Sequence, residues 1–246
     1  MDRLIHTALS GMRASMDSQR VIASNMANAN TLGFRAEMLD QRAVTIEGQP
    51  NEARAMQRAS VRGADMAAGE TIATGRDLDV AVETDALIAV QAVDGTEAYT
   101  RRGDLSVSAT GLLVNGEGRP VLGDNGPITV PPVGIPGIAP DGSITIADPA
   151  APDQPPAEIG RIKLAAWEGS PISKGLDGLF RVEGGGILPT DEAATVKVGS
   201  LEQSNVKTTE VLVDMIDAQR LFAMRSKVIS TAREIDESGA QLMRLS

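Results

Sequence analysis

Few side chains in this sequence could carry chemistry. His6 is the one histidine and there is no cysteine, so a histidine-assisted nucleophile, a multi-histidine metal centre and a thiolate site are all out of reach. The nearest approach to a general acid and base is the carboxylate group Asp77, Asp79, Glu83 and Asp85, but strand alternation puts it on a polar face and its turn, where solvated carboxylates belong. Gly116 and Gly118 lack the strand, lysine and helix that frame a phosphate loop, so they read as a turn. Arg101 and Arg102 are too few to neutralise a nucleic-acid backbone in a chain of net charge -10. Trp167, the single tryptophan, reads as a packing anchor. The expectation is no catalytic residue, no metal, no cofactor, no small-molecule substrate and no nucleic acid.

With catalysis set aside, the elements carry the signal. Ile5, Ala8, Leu9, Met12, Ser15, Met16, Gln19, Ile22, Ala23 and Met26 recur at three- and four-residue steps, which predicts one amphipathic helix over about Leu4 to Ala27. Asp2 is placed to cap its start, and Gly33 to end it in the left-handed conformation. A second helix is predicted over Thr208 to Leu245. There Leu221, Val228, Ile235 and Leu242 recur every seven residues, Ala218 and Ala232 fill the intermediate seam positions, Met215, Phe222 and Ile229 widen the stripe, and Arg225 is an awkward seam member. Both stripes suit another helix better than a globular core, and Gly11 with the alanines would allow close approach.

Residues 36–75 show no sustained period and read either as a connecting arm or as a partly disordered linker, with short strand pieces near 43–46 and 70–73. From Leu78 onward, Leu78, Val80, Val82, Ala86, Ile88, Val90 and Ala92 share one parity, and turn signals at Asp94-Gly95, Gly111, Asn115-Gly116, Asn125-Gly126 and Asp141-Gly142 punctuate further short alternations. Aromatic residues are only 2% of the chain, so the core would be aliphatic. The fold class expected is α+β: long N- and C-terminal helices forming a coiled-coil-like core, with a central antiparallel β-rich domain, barrel-like or a folded sheet. No cleavable signal peptide, polybasic patch or membrane-spanning stretch is expected, and so no direct membrane insertion.

Two stretches at opposite ends carry a family resemblance. Ala8-x-Ser10-Gly11-Met12 followed by Asn25-Met26-Ala27-Asn28-x-x-Thr31-x-Gly33-Phe34-Arg35, and Gly199-Ser200-Leu201-Glu202-Gln203-Ser204-Asn205-Val206 with Met215-Ile216 and Gln219-Arg220 beyond, resemble the opening and closing signatures of the bacterial flagellar rod and hook proteins. Leu78 to Val82 and Asp94 to Gly103 look like the shared middle domain, with Leu87 where the family usually has an aromatic. Met1-Asp2-Arg3, Gly160 to Leu164 and Asp177 to Arg181 resemble a proximal-rod branch more than the distal-rod branch.

The resemblance implies four segments: 1–35, the first core helix and rod signature; 36–75, the arm; 76–199, the β-rich outer domain; and 200–246, the second core helix. It implies a non-enzymatic subunit of the basal-body rod, exported by the flagellar type III apparatus without a cleaved signal peptide. Its partners would be other rod subunits and itself, met through Ile5, Ala8, Leu9, Gly11, Met12, Met16, Ile22 and Met26 on one helix. On the other they would be Met215, Ala218, Leu221, Phe222, Val228, Ile229, Ile235 and Leu242. Two further readings are a secreted β-domain binding module multimerised by its helices, and an acid/base hydrolase using the carboxylates of residues 77–85.

Overall fold

The computed structural model describes residues 2–46, 54–132, 134–148 and 154–244, with side chains throughout these except at 2–7, 40–46, 54–62, 236, 237 and 239–244. The protein is α+β, and the chain forms two compact units. The first unit comprises Met1–Ala29, Glu37–Asp65 and Val206–Ser246; the second comprises Asn30–Ala36 and Met66–Asn205.

In the first unit, helix α1 spans Asp2–Ala27 and helix α2 spans Thr208–Arg244. The helix end differs from expectation. Gly33 does have φ +65°, but α1 stops at Ala27, too early for Gly33 to be its terminating glycine. Asn28 closes the last turn instead, giving its backbone N–H at 3.1 Å and its side-chain amide at 2.9 Å to the Ser24 carbonyl. An asparagine amide can thus supply a bond a terminating glycine would otherwise arrange.

The two helices pack antiparallel: Gln19 Nε2 donates to the Ala218 carbonyl at 3.4 Å, and Arg225 donates to the Gly11 carbonyl and the Ser15 hydroxyl. Ala14, Ser15 and Val21 of α1 and Ala218 of α2 are buried. Around Ala218, the half-buried Val211, Met215, Phe222, Arg225, Ile229 and Ala232 continue the same face at alternating four- and three-residue steps. The anticipated seam is therefore only partly used. Leu221, Val228 and Ile235 are 41%, 59% and 56% exposed, and Leu242 lies outside the described side chains. Two sevenfold rows run along α2, offset by one residue and so by about 100°. The row through Met215, Phe222 and Ile229 faces inward beside the buried Ala218, and Arg225 on the same side finds two oxygen acceptors on α1.

Residues within 36–75 are more regular than their composition suggests. Strand β1 (Glu37–Ile46) pairs antiparallel with β2 (Arg54–Ala64) along its full length, from Glu37↔Ala64 to Ile46↔Arg54, with an irregularity at Met38/Leu39. Neither strand alternates cleanly, so only the backbone ladder reveals the ribbon. Asn25 ties it to α1: its Oδ1 accepts from the Glu37 N–H at 2.7 Å and its Nδ2 donates to the Glu37 carbonyl at 3.0 Å.

The second unit is antiparallel β-structure. Its strands are β3 (Thr71–Ala73), β4 (Val80–Val82), β5 (Ala86–Gln91), β6 (Glu97–Thr100), β7 (Leu105–Val107), β8 (Leu113–Asn115), β9 (Leu122–Gly123) and β10 (Gly126–Pro127). They continue as β11 (Ile135–Ile138), β12 (Ser143–Ala147), β13 (Ala157–Arg161), β14 (Leu164–Ala166), β15 (Ile172–Lys174), β16 (Phe180–Val182), β17 (Val196–Val198) and β18 (Ser200–Glu202). The largest sheet has the order β14-β5-β6-β16-β15, and β11-β12-β13 forms a second. The pairs β17-β4 and β18-β3 bring the last strands of the unit onto its first.

The same-parity residues Val80, Val82, Ala86, Ile88, Val90 and Ala92 all enter one aliphatic core with Leu105, Leu113, Ile144, Ile162 and Leu164. Both faces of the early strands are covered, since Ala81, Leu87 and Ala89 on the opposite parity are also buried. Leu87 is 0% exposed, so an aliphatic side chain fills this site without loss of burial. Tyr99, equally buried, accepts the Leu188 N–H at 2.6 Å and donates to Glu97 at 2.8 Å, and Glu97 pairs with Lys163 at 2.6 Å. Burial, with Glu97 beside it, pushes the Tyr99 phenol far up.

Candidate functional site

Within the β unit the stretch 33–36 meets the stretch 202–205, and the contact is built residue by residue. Gly33 donates its N–H to the Glu202 carbonyl at 2.8 Å. A Cβ there would stand 2.4 Å from the Arg101 carbonyl carbon, at φ +65°, so only glycine fits on both counts. Phe34 is buried, its carbonyl accepts from the Asn205 N–H at 3.3 Å, and the Lys174 ammonium sits 3.3 Å from its ring centroid while donating to the Arg35 carbonyl at 2.9 Å. A cation held over an aromatic face and bonded to the next carbonyl fixes two consecutive residues at once.

Arg35 is 0% exposed and pairs with Glu202 Oε1 at 2.7 Å, while its guanidinium also donates to the Ala67 carbonyl. Glu202 Oε1 accepts from the Gly69 N–H at 2.9 Å, and Oε2 faces Arg101 Nε at 3.6 Å. Arg101 in turn donates to the Val82 carbonyl at 3.1 Å. Burial pulls the Arg101 guanidinium below the usual arginine value; Glu202 opposes this and Arg35 adds to it. Asn205 completes the clasp, accepting from the Ala36 N–H at 2.7 Å and donating to the Ala67 carbonyl at 3.0 Å. Two buried guanidinium groups therefore share one buried carboxylate. Such a cluster holds a single arrangement, because separating any member leaves a charge out of water.

Of the expected signature residues, this clasp gathers Thr31 (through the Phe34 N–H at 3.3 Å), Gly33, Phe34, Glu202 and Asn205. Leu201 is buried nearby, paired with Ile72 in β18-β3, and Ser204 is half-buried. Ser10, Asn25, Asn28 and Val206 belong to the helical unit. Sequence reading missed Ala67, Gly69 and Lys174 altogether, and it weighed Arg101 as a phosphate contact and as part of the 94–103 resemblance, not as a buried ion-pair partner. No local pattern marks a buried arginine whose partner lies far along the chain.

In the helical unit, Ala8, Gly11, Met12, Ile22 and Met26 are half-buried, whereas Leu9 and Met16 are 39% and 56% exposed. The side chain of Ile5 is not among those described, nor is that of His6. On α2, Met215, Phe222 and Ile229 are half-buried and Ala218 is buried. Gly11 is not forced by this packing: a Cβ there would meet Arg225 Cζ at 3.7 Å, an ordinary contact.

The carboxylates weighed for catalysis do not act together. Asp79 is 1% exposed rather than solvated, accepting from the Thr74 hydroxyl at 2.6 Å with Arg76 at 3.6 Å, because it lies in a bridge to Asp104 and its carbonyl accepts from the Gly199 N–H. Glu83 and Asp85 are exposed. An open groove of about 490 Å³ is lined by residues 123–129 and 158–161 and includes none of the four. Gly116 and Gly118 lie in a turn capped by Asn115, whose Oδ1 accepts from the Glu117 and Arg119 N–H groups at 3.1 and 3.0 Å. Trp167 is half-buried at a turn, its carbonyl accepting from the Ser170 N–H at 3.1 Å.

The sequence matches three family profiles in chain order: "Flagella basal body rod protein" over residues 5–35, "Flagellar hook protein FlgE/F/G D1 domain" over 81–148, and "Flagellar basal body rod FlgEFG protein C-terminal" over 197–242. Flagellar basal-body rod protein FlgF of Salmonella typhimurium is 42% identical over 252 residues, covering 100% of both chains, and FlgF of Escherichia coli is 41% identical with the same coverage. Flagellar basal-body rod protein FlgG of Bacillus subtilis is 32% identical over 267 residues, covering 99% of this chain and 100% of its own. With the end of its opening motif clasped to Glu202 and Asn205 of its closing motif and a similarity that runs over the full length of its relatives, the chain belongs to the flagellar basal-body rod protein family.

Proposed function

We propose that this chain is a structural subunit of the proximal rod in the flagellar basal body, packing through α1 and α2 against other rod subunits and further copies of itself to carry torque from motor to hook, and that it is not an enzyme. The carrying observation is the outward row of α2, where Leu221, Met224, Val228 and Ile235 are 41–60% exposed. An apolar row at sevenfold spacing on a 37-residue helix is the surface that another helix covers in a coiled-coil-like core. Each square ångström of it taken out of water contributes about 25 cal/mol. Contacts that use different patches on the two sides need not close, and so extend as a helical stack.

The proximal assignment is favoured over the distal one by the 42% identity to FlgF against 32% to FlgG. In this reading the chain reaches the periplasmic rod through the flagellar type III export apparatus as an unfolded polypeptide, and a chain with no cysteine suits that passage. Chromosomal deletion with plasmid complementation tests the assignment. The deletion strain is expected not to swim, and cryo-EM of its basal bodies to lack rod density that the complemented strain restores. Normal swimming after deletion would refute it.

A further inference from the structure

The helical unit leaves two faces open, and their chemistries match. On α1 the exposed side is Leu9, Arg13, Met16 and Arg20; on α2 it includes Asp217, Leu221, Met224 and Val228. We propose that α1 of one copy docks antiparallel onto the outward row of α2 of a second copy, with Leu9 against Val228, Arg13 against Met224, Met16 against Leu221 and Arg20 against Asp217. This rests on the rod-subunit reading and adds to it which faces meet, in which direction and in which register.

Spacing fixes the register. From Leu9 the steps to Met16 and Arg20 are seven and four; read backwards from Val228, the steps to Leu221 and Asp217 are also seven and four. Leucine thus meets valine, methionine meets leucine, and a guanidinium meets a carboxylate at the end. The parallel alternatives fail the last condition: with Leu9 on Leu221 or on Val228, Arg20 would face Ala232 or Gly239, neither of which is acidic. Asp217 is available for exchange. Its one partner among the described residues is Arg220 at 3.9 Å, with both side chains about 70% exposed, a surface pair of little energetic weight. Arg13 lays its aliphatic stem along Met224 with its charge in water.

The register also sets the level of the neighbour. Inside the chain Gln19 stands against Ala218, and the docked copy sets Arg20 against Asp217, one residue further on each helix. The second α1 therefore lies beside the first along α2, which makes the contact lateral, and it joins two unlike faces, so each copy keeps one of each free for the next.

The native chain has no cysteine, so one thiol per copy reports the contact. Full-length Leu9→Cys and Val228→Cys chains with tags of different mass are mixed, oxidised and run on a non-reducing gel. The mixed 9–228 adduct is expected to dominate over both single-type adducts. Arg20→Glu introduced into the Leu9→Cys chain should lower it about tenfold by setting like charges opposite, and Asp217→Arg in the Val228→Cys chain should restore it. Circular dichroism confirms that these exposed variants keep their helices. Dominant 9–9 or 228–228 adducts, no mixed adduct, or a mixed adduct indifferent to charge reversal would each overturn the contact. If such a chain still restored swimming to the deletion strain, this docking would fall while the rod reading stood; normal swimming of the deletion strain itself would remove the rod reading.

Discussion

Glu202 is the buried carboxylate that Arg35 and Arg101 share in the β unit. Its carboxylate is 3% exposed and offsets Arg35 and Arg101, which are 0% and 3% exposed. Glu202→Gln keeps the shape but leaves two buried cations without an anion, and it should cost about 3–5 kcal/mol in urea unfolding. Arg101→Met leaves a balanced Arg35–Glu202 pair and should cost distinctly less; equal losses would show that charge is not the reason. Gly33→Ala should cost about 1–3 kcal/mol from backbone strain alone, since its φ is +65°, and more because the Cβ displaces the Arg101 backbone; a thermal melt reads the difference. Gly33 and Glu202 were each legible as motif members. Their meeting was not, because nothing in local spacing shows which distant residues share a buried charge.

Among the elements, the hairpin β15-β16 carries its own acid-sensitive brace. Asp177 takes two bonds from Arg181, at 3.0 and 2.7 Å. That pairing, with the Leu179 N–H and Arg119 adding to it against the opposing effect of burial, holds the Asp177 carboxyl below the usual carboxylate range. The folded-state value is lowered, so the brace contributes fully above the unfolded-state value near 3.8 and is lost as pH falls through the folded one. Asp177→Asn should therefore melt lower than the parent at neutral pH, and its melting temperature should fall less steeply below about pH 4. Parallel pH curves for the two proteins would exclude this. Periodicity located both helices to within a few residues and the aliphatic parity of β4 and β5, because burial imposes those patterns directly. It drew one wide stripe on α2 where the structure divides two rows: Met215, Ala218, Phe222 and Ile229 are buried or half-buried, while Leu221, Val228 and Ile235 stay exposed. Of the β1-β2 ribbon it anticipated only the piece at 43–46, because the pairing is a property of backbone rather than side-chain alternation.

For the molecule as a whole, the surfaces that close the fold are distinct from the exposed apolar row of α2. The aliphatic core and the clasp are closed within the β unit, and the inward row of α2 is covered by its own chain, but Val228 and Ile235 are 59% and 56% exposed. Replacing both with serine removes apolar surface that the folded chain never buries, so stability should change by less than about 0.5 kcal/mol per site and the melting curve should overlay that of the parent. Assembly should fail all the same: the double variant, produced at normal levels in the deletion strain, is expected not to restore swimming, and basal bodies from those cells to lack the chain. The contrast with Glu202→Gln makes the result interpretable, because that variant weakens the fold while leaving the outward row intact. If the Val228→Ser, Ile235→Ser chain swims normally, the outward row is surplus to the rod and the helices must associate through another face. If it melts early, the row is buried within the folded chain, and its exposure cannot be what drives subunits together.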